Sequence, residues 1–207
     1  MGSGITPYAV PLARLRASCG SKKQALIAAV RRECEGLIFD LDESFRNEIA
    51  YGAPDAGTAV AQLVDGAFGA KRSGAFMYAY ALELLCAHLG TKLDAPVLQR
   101  TSTALLKLVD GALRAQGVDA FTTRDLTSGH PPVKLPPRAA LPGVGTIEPA
   151  VVALASRQMA KLEISESDVP HGERAMREAA RGAIVEIGEW METARATRGG
   201  GLVCFYY

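Results

Sequence analysis

One carboxylate stands in the middle of a segment that holds almost no other polar group. The run GAFMYAYALELLCAHLG, residues 74–90, surrounds Glu83 with Phe76, Met77, Tyr78, Tyr80, Leu82, Leu84, Leu85 and Cys86. An ionised carboxylate in such surroundings is costly unless it is paired or hydrogen-bonded. The leading expectation is architectural: a core-facing Arg from another helix, or Tyr hydroxyls, neutralises Glu83. The alternative is chemical. Glu83 is then a general acid or base in a pocket lined by Tyr78 or Tyr80, its pKa raised by desolvation, with Tyr80 as a nearby proton donor. Carboxylate catalysis usually needs a second carboxylate, a base or a metal, and the sequence identifies none.

Other chemistries find less support. His88, His130 and His171 have no spacing that matches a zinc pattern, and H-E-x-x-H is absent, so no metal is expected. His88 suits the negative end of its helix. The cysteines at 19, 34, 86 and 204 form no C-x-x-C pair, and Cys86 reads as a small core filler. CGSKK at 19–23 lacks the first Gly of a phosphate loop, PGVG at 142–145 starts no dinucleotide fingerprint, and Ser102, Ser156 and Ser165 show no base partner. No cofactor is expected.

Charge is distributed unevenly. Between 11 and 32 lie six basic residues, Arg14, Arg16, Lys22, Lys23, Arg31 and Arg32, and no acid. Between 33 and 55 lie seven acids, among them Asp40, Asp42 and Glu43, against Arg46 alone. Two solvated helix faces that attract each other would explain this. So would a dipolar surface for a protein partner, using Asp40, Asp42, Glu43, Arg31 and Arg32. The basic run has no interleaved aromatics and the net charge is only +1, so nucleic acid is not an expected partner. No stretch reaches about 18 uncharged apolar residues, so no membrane span is expected. With 48% hydrophobic and 22% charged residues, the composition is that of a globular protein, and the cysteine pattern suggests the cytoplasm.

The elements that must position these groups are mostly helical. ITPYAV near the start and LVCFYY at the end read as strands, the first an edge strand because of its prolines. Helices are expected from Ser21 as N-cap to about 35, with Gly36 as stop, and then over about 40–50, 55–64, 74–89, 102–116, 147–162 and 170–195. Ser73 is the expected N-cap and Gly90 the expected end of the Glu83 helix. SGHPPVKLPPRAALPGVG, residues 128–145, carries five prolines and three glycines, too many for a regular element, and reads as an extended strap. A two-stranded ribbon is marginal alone, so the terminal strands should pair with each other or dock on helices. The expected class is α+β, predominantly helical, one domain over 1–207 with a small sheet from its terminal strands.

YAVPLARLRASCGSKKQAL, GAFMYAYALELLCAHLGTKLD and GGGLVCFYY together resemble an uncharacterised bacterial family known as a domain of unknown function. Its members open with a short strand and a Gly-Ser before the first helix. They carry a Y-x-Y-A-x-E-L-L-C-x-H-L-G-like helix and end on an aromatic strand. The family helix falls here on Tyr78, Tyr80, Glu83, Cys86, His88 and Gly90, while the Asn that often follows its Leu-Asp is missing, since Asp94 precedes Ala95. The resemblance implies a cytosolic, mostly helical domain and supplies no activity. The functional expectation is a small accessory module, regulatory or immunity-type, that recognises another protein through the charged surface or the strap. A small enzyme built on Glu83 is the second.

Overall fold

The two ends of the chain fold onto each other, as their apolar and aromatic runs require. The computed structural model describes residues 3–69, 73–137, 142–162 and 174–207. The opening Met-Gly, Ser165, the helix-start signals Asp168 and Pro170, and His171 lie outside them. Strand β1 (Ile5–Pro11) pairs antiparallel with β4 (Gly200–Tyr206), from Ile5 opposite Tyr206 to Pro11 opposite Gly200. A two-residue strand, β2 (Thr91–Lys92), joins β1, and β3 (Gly143–Ile147) joins β4, giving the order β2-β1-β4-β3. β1 is therefore not an edge strand. Its prolines are tolerated because β2 pairs only with Tyr8 and Ala9, leaving Pro7 and Pro11 outside that ladder.

Side-chain alternation divides the core in two. Tyr8 and Val10 of β1, Val144 of β3, and Val203 and Phe205 of β4 face one helical layer. Ile5, Ala9, Ile147, Leu202 and Cys204 face the other. The first layer holds α1 (Leu12–Ser18), α2 (Gln24–Glu33), α3 (Glu35–Ser44), α4 (Arg46–Ala50), α5 (Ala56–Asp65) and α6 (Met77–Leu89). The second holds α7 (Thr103–Ala115), α8 (Thr123–Thr127), α9 (Pro149–Met159) and α10 (Arg174–Ala196). With ten helices and four strands among the described residues, the fold is α+β and mainly helical.

Local differences from expectation have physical causes. The helix expected from Ser21 starts at Gln24 instead, because Lys22 takes a left-handed φ of 57° that no helix continues. Gly36 does not stop a helix; Cys34 does, and Gly36 lies in the first turn of α3. The amphipathic stretch over 40–50 divides at Phe45 into α3 and α4. Phe76, not Ser73, precedes the first residue of α6. The C-terminal part of the strap is a strand after all: Gly145 lies so close to α8 that a Cβ would stand 2.2 Å from the Asp125 carbonyl oxygen. Arg16 clasps an earlier part of the strap by donating from Nε to the Pro132 carbonyl at 3.0 Å while pairing with Glu148. Val133 and Leu135 of the strap pack on the first core. Gly90 ends α6 in extended backbone (φ −135°), not in a left-handed turn; glycine is required there because a Cβ would meet the Ala9 carbonyl oxygen at 2.3 Å.

Candidate functional site

α6 is hydrophobic almost all round and is accordingly central, with nine of its thirteen residues buried. The four that are not, Tyr80, Glu83, Ala87 and His88, fall at i, i+3, i+7 and i+8 and so form one stripe. Glu83 thus points along the single face of α6 that the fold leaves uncovered. No Arg meets it. Tyr8 Oη donates to Glu83 Oε1 at 3.1 Å, and Tyr207 Oη donates to Oε2. Both tyrosines come from the central strand pair: Tyr8 from β1, Tyr207 from the residue after β4. The Tyr207 backbone is fixed by reciprocal hydrogen bonds with Gly4, 3.0 and 3.2 Å long.

These groups border an open cavity of about 420 Å³, within the usual range for small-molecule pockets. Tyr80 stacks on Tyr207, ring centroids 5.8 Å apart and planes 29° apart, while Phe45 packs against the Tyr80 ring at 5.0 Å. Leu37 and Leu41 from α3 and Leu84 and Ala87 from α6 supply an apolar wall, and exposed Lys92 of β2 completes the lining. Burial pushes the Glu83 carboxyl above its ordinary value, against the two tyrosine hydrogen bonds and the charge of Lys92. The same burial, with Glu83 alongside, raises the phenols of Tyr8 and Tyr207 and brings Tyr80 to about 12. The cluster therefore centres on one carboxyl, Glu83, raised by burial and held by two donor phenols.

The structure brings Tyr80 to Glu83 as expected but separates Tyr78 from it. Five residues along a helix is about 140° of rotation, which turns Tyr78 toward α5. Its hydroxyl donates to Gln62 Oε1 at 2.6 Å and accepts from Gly69 N at 3.0 Å, a structural role. Sequence reasoning missed Tyr8, Tyr207 and Lys92. The aromatic ends of the chain were visible, yet which strand residues face α6 depends on the β1–β4 register.

The charged surface is partly used inside the fold. Asp42 accepts from Ala56 N at 2.7 Å and Arg31 donates to the Gly57 carbonyl at 2.9 Å, both fastening the start of α5. Glu43 pairs with Arg46, and Arg32 with neighbouring Glu33 at 3.4 Å, so these pairs do not bridge the basic α2 and the acidic α3. Asp40 is exposed. His88 does more than face a helix end: its Nδ1 lies 2.6 Å from Glu33 Oε2, and that hydrogen bond holds Glu33 below the usual carboxylate range. A second buried acid, Glu186 of α10, is only 5% exposed; it accepts from Val97 N and Leu98 N at 2.8 and 3.2 Å, which explains it as a clamp on that loop. Cys86 is fully buried among apolar side chains, a core filler. Among the described residues no group of three or more His, Cys, Asp or Glu side chains is placed to hold a metal, and no helix is long and apolar enough to cross a membrane.

A mainly helical α+β chain whose terminal strands pair at the centre, with one acid stripe on its most buried helix, defines the class. The chain belongs to the DUF7691 family, a domain of unknown function whose family model matches residues 1–207. No curated protein and no solved structure matches it.

Proposed function

We propose that this chain is a single-domain binding module whose site is the Glu83 pocket and whose ligand is a small organic molecule. One observation carries the reading: a partly buried carboxylate, satisfied by two phenols, lines an open cavity of about 420 Å³ instead of a sealed interior. An acid kept for architecture alone has no need of a void beside it. The charged surface is weaker support for binding, since Asp42 and Arg31 are engaged within the fold. What remains for a protein partner is the outer side of α3, where Phe39 is 65% exposed beside Asp40 and Glu43. An accessory protein that couples ligand to partner would use both faces of α3. Four free thiols support a reducing, cytoplasmic location.

The raised pKa of Glu83 favours a second reading, catalysis with Glu83 as general acid. Its hydrogen-bonded partners are then Tyr8 and Tyr207, not Tyr80. Native mass spectrometry against a library of small aromatic acids, alcohols and amines tests the binding reading. Wild type should retain library members, and Leu41→Trp, which fills the cavity from α3, should retain none while keeping its circular dichroism. Equal uptake by the variant, or no uptake by wild type, overturns it.

A further inference from the structure

The pocket has a definite polarity. An ionised carboxylate offers about four acceptor positions, and Tyr8 and Tyr207 occupy one on each oxygen, which leaves room for further donors. Both phenol protons are already directed at Glu83, so they are not available to an anionic guest. The stacked rings of Tyr80 and Tyr207 stand beside the acid, and aromatic faces attract cations. Leu37, Leu41 and Leu84 offer nothing but apolar surface. Lys92 enters no ion pair among the described residues, so its positive charge acts on whatever extends toward it.

Resting on the small-ligand reading above, we propose that the pocket takes an organic monoammonium compound. Its ammonium lies on Glu83 against the Tyr80–Tyr207 pair, its apolar body lies along Leu37, Leu41 and Leu84, and its outer end is neutral or anionic toward Lys92. Burial disfavours the charged form of Glu83, and Lys92 offsets this only in part. An ammonium placed on the carboxylate adds to that counter-charge and favours the ionised acid. A diamine of the same length is disfavoured because its second charge meets Lys92. A neutral alcohol of the same shape loses the charge-assisted hydrogen bond.

Titration calorimetry with four probes tests this: 2-phenylethylamine, 2-phenylethanol, 3-phenylpropionate and 4-(aminomethyl)phenethylamine. The monoamine should bind wild type about tenfold or more tighter than the alcohol, as one charge-assisted hydrogen bond implies. Glu83→Gln should abolish that preference, and Lys92→Ala should bring the diamine level with the monoamine. If Glu83→Gln does not fold, Tyr80→Leu, on the uncovered stripe of α6, should reduce the monoamine's advantage over the alcohol by several-fold. Should the alcohol and the propionate bind in competition with no advantage for the amine, the ammonium assignment fails and the pocket reading survives. Binding of none of the four removes both.

Discussion

Glu83 should leave a signature in the pH dependence of stability, and one substitution isolates it. In the unfolded chain Glu83 titrates near the ordinary glutamate value of about 4.3. Burial raises its folded value above 4.5. Between those two values the folded protein keeps a proton that the unfolded chain has lost. Stability therefore falls as pH rises through this window, and levels off once pH passes the folded value. One proton's difference gives a slope of at most about 1.4 kcal/mol per pH unit. Glu186 is also raised by burial and adds a slope of the same sign. Glu33, Glu43 and Glu192 are lowered, so their contributions change below the ordinary value, as pH falls, and lie outside the window. Urea unfolding of wild type and Glu83→Gln at half-unit steps from pH 4.5 to 7.5, followed through buried Trp190, reads the difference directly. Subtraction cancels Glu186, which both proteins share. The wild type should lose stability relative to the variant as pH rises, by up to the slope above. Parallel curves, or a difference of opposite sign, would refute a desolvated Glu83.

Tyr207→Phe removes one of the two hydroxyls on Glu83 and should cost about 1.5–3 kcal/mol, the range for a hydrogen bond to a charged group. For a chain of this size that lowers Tm by roughly 3–12 °C, whereas Tyr206→Phe, whose ring packs on the opposite core, serves as control. Amide hydrogen exchange should be fast in α3, which buries no residue, and slow in α6, which buries nine. Equal protection in the two helices would contradict the packing described.

What could be read in the sequence follows the range of the forces involved. The terminal pairing was legible because LVCFYY has no polar face to show water, and two such runs have little to pair with except each other. The burial of α6 was legible for the same reason. The uncovered stripe was not, because Ala87 continues Tyr80 and Glu83 with an apolar side chain and hides the pattern. β2 is too short to register in any periodicity, and β3 lies in a stretch whose glycines read as loop although they exist to admit α8. The identity of the Glu83 donors depended on long-range register: a one-residue slip of β1 would turn Tyr8 to the other core. Tyr78 was misplaced for a simpler reason. Proximity in sequence on a helix is not proximity in space, and five residues is nearly the wrong side.

The distribution of packing around Glu83 bears on how such a site would work. Its acid is carried by the most buried helix of its layer, and its two donors by the paired central strands, one of them fixed by reciprocal backbone bonds to Gly4. Electrostatic recognition needs that fixity, because a carboxylate that could relax into water would gain little from a guest. The opposite wall is different. α3 contributes Leu37 and Leu41 to the cavity yet buries no residue of its own, and Asp42 bonds to the α5 terminus as one of its fastenings. A ligand can displace such a helix at small cost, whereas moving Glu83 would disturb the core. Entry should therefore occur on the α3 side, with any change on binding transmitted to Phe39 and Asp40 on the outer surface of the same helix.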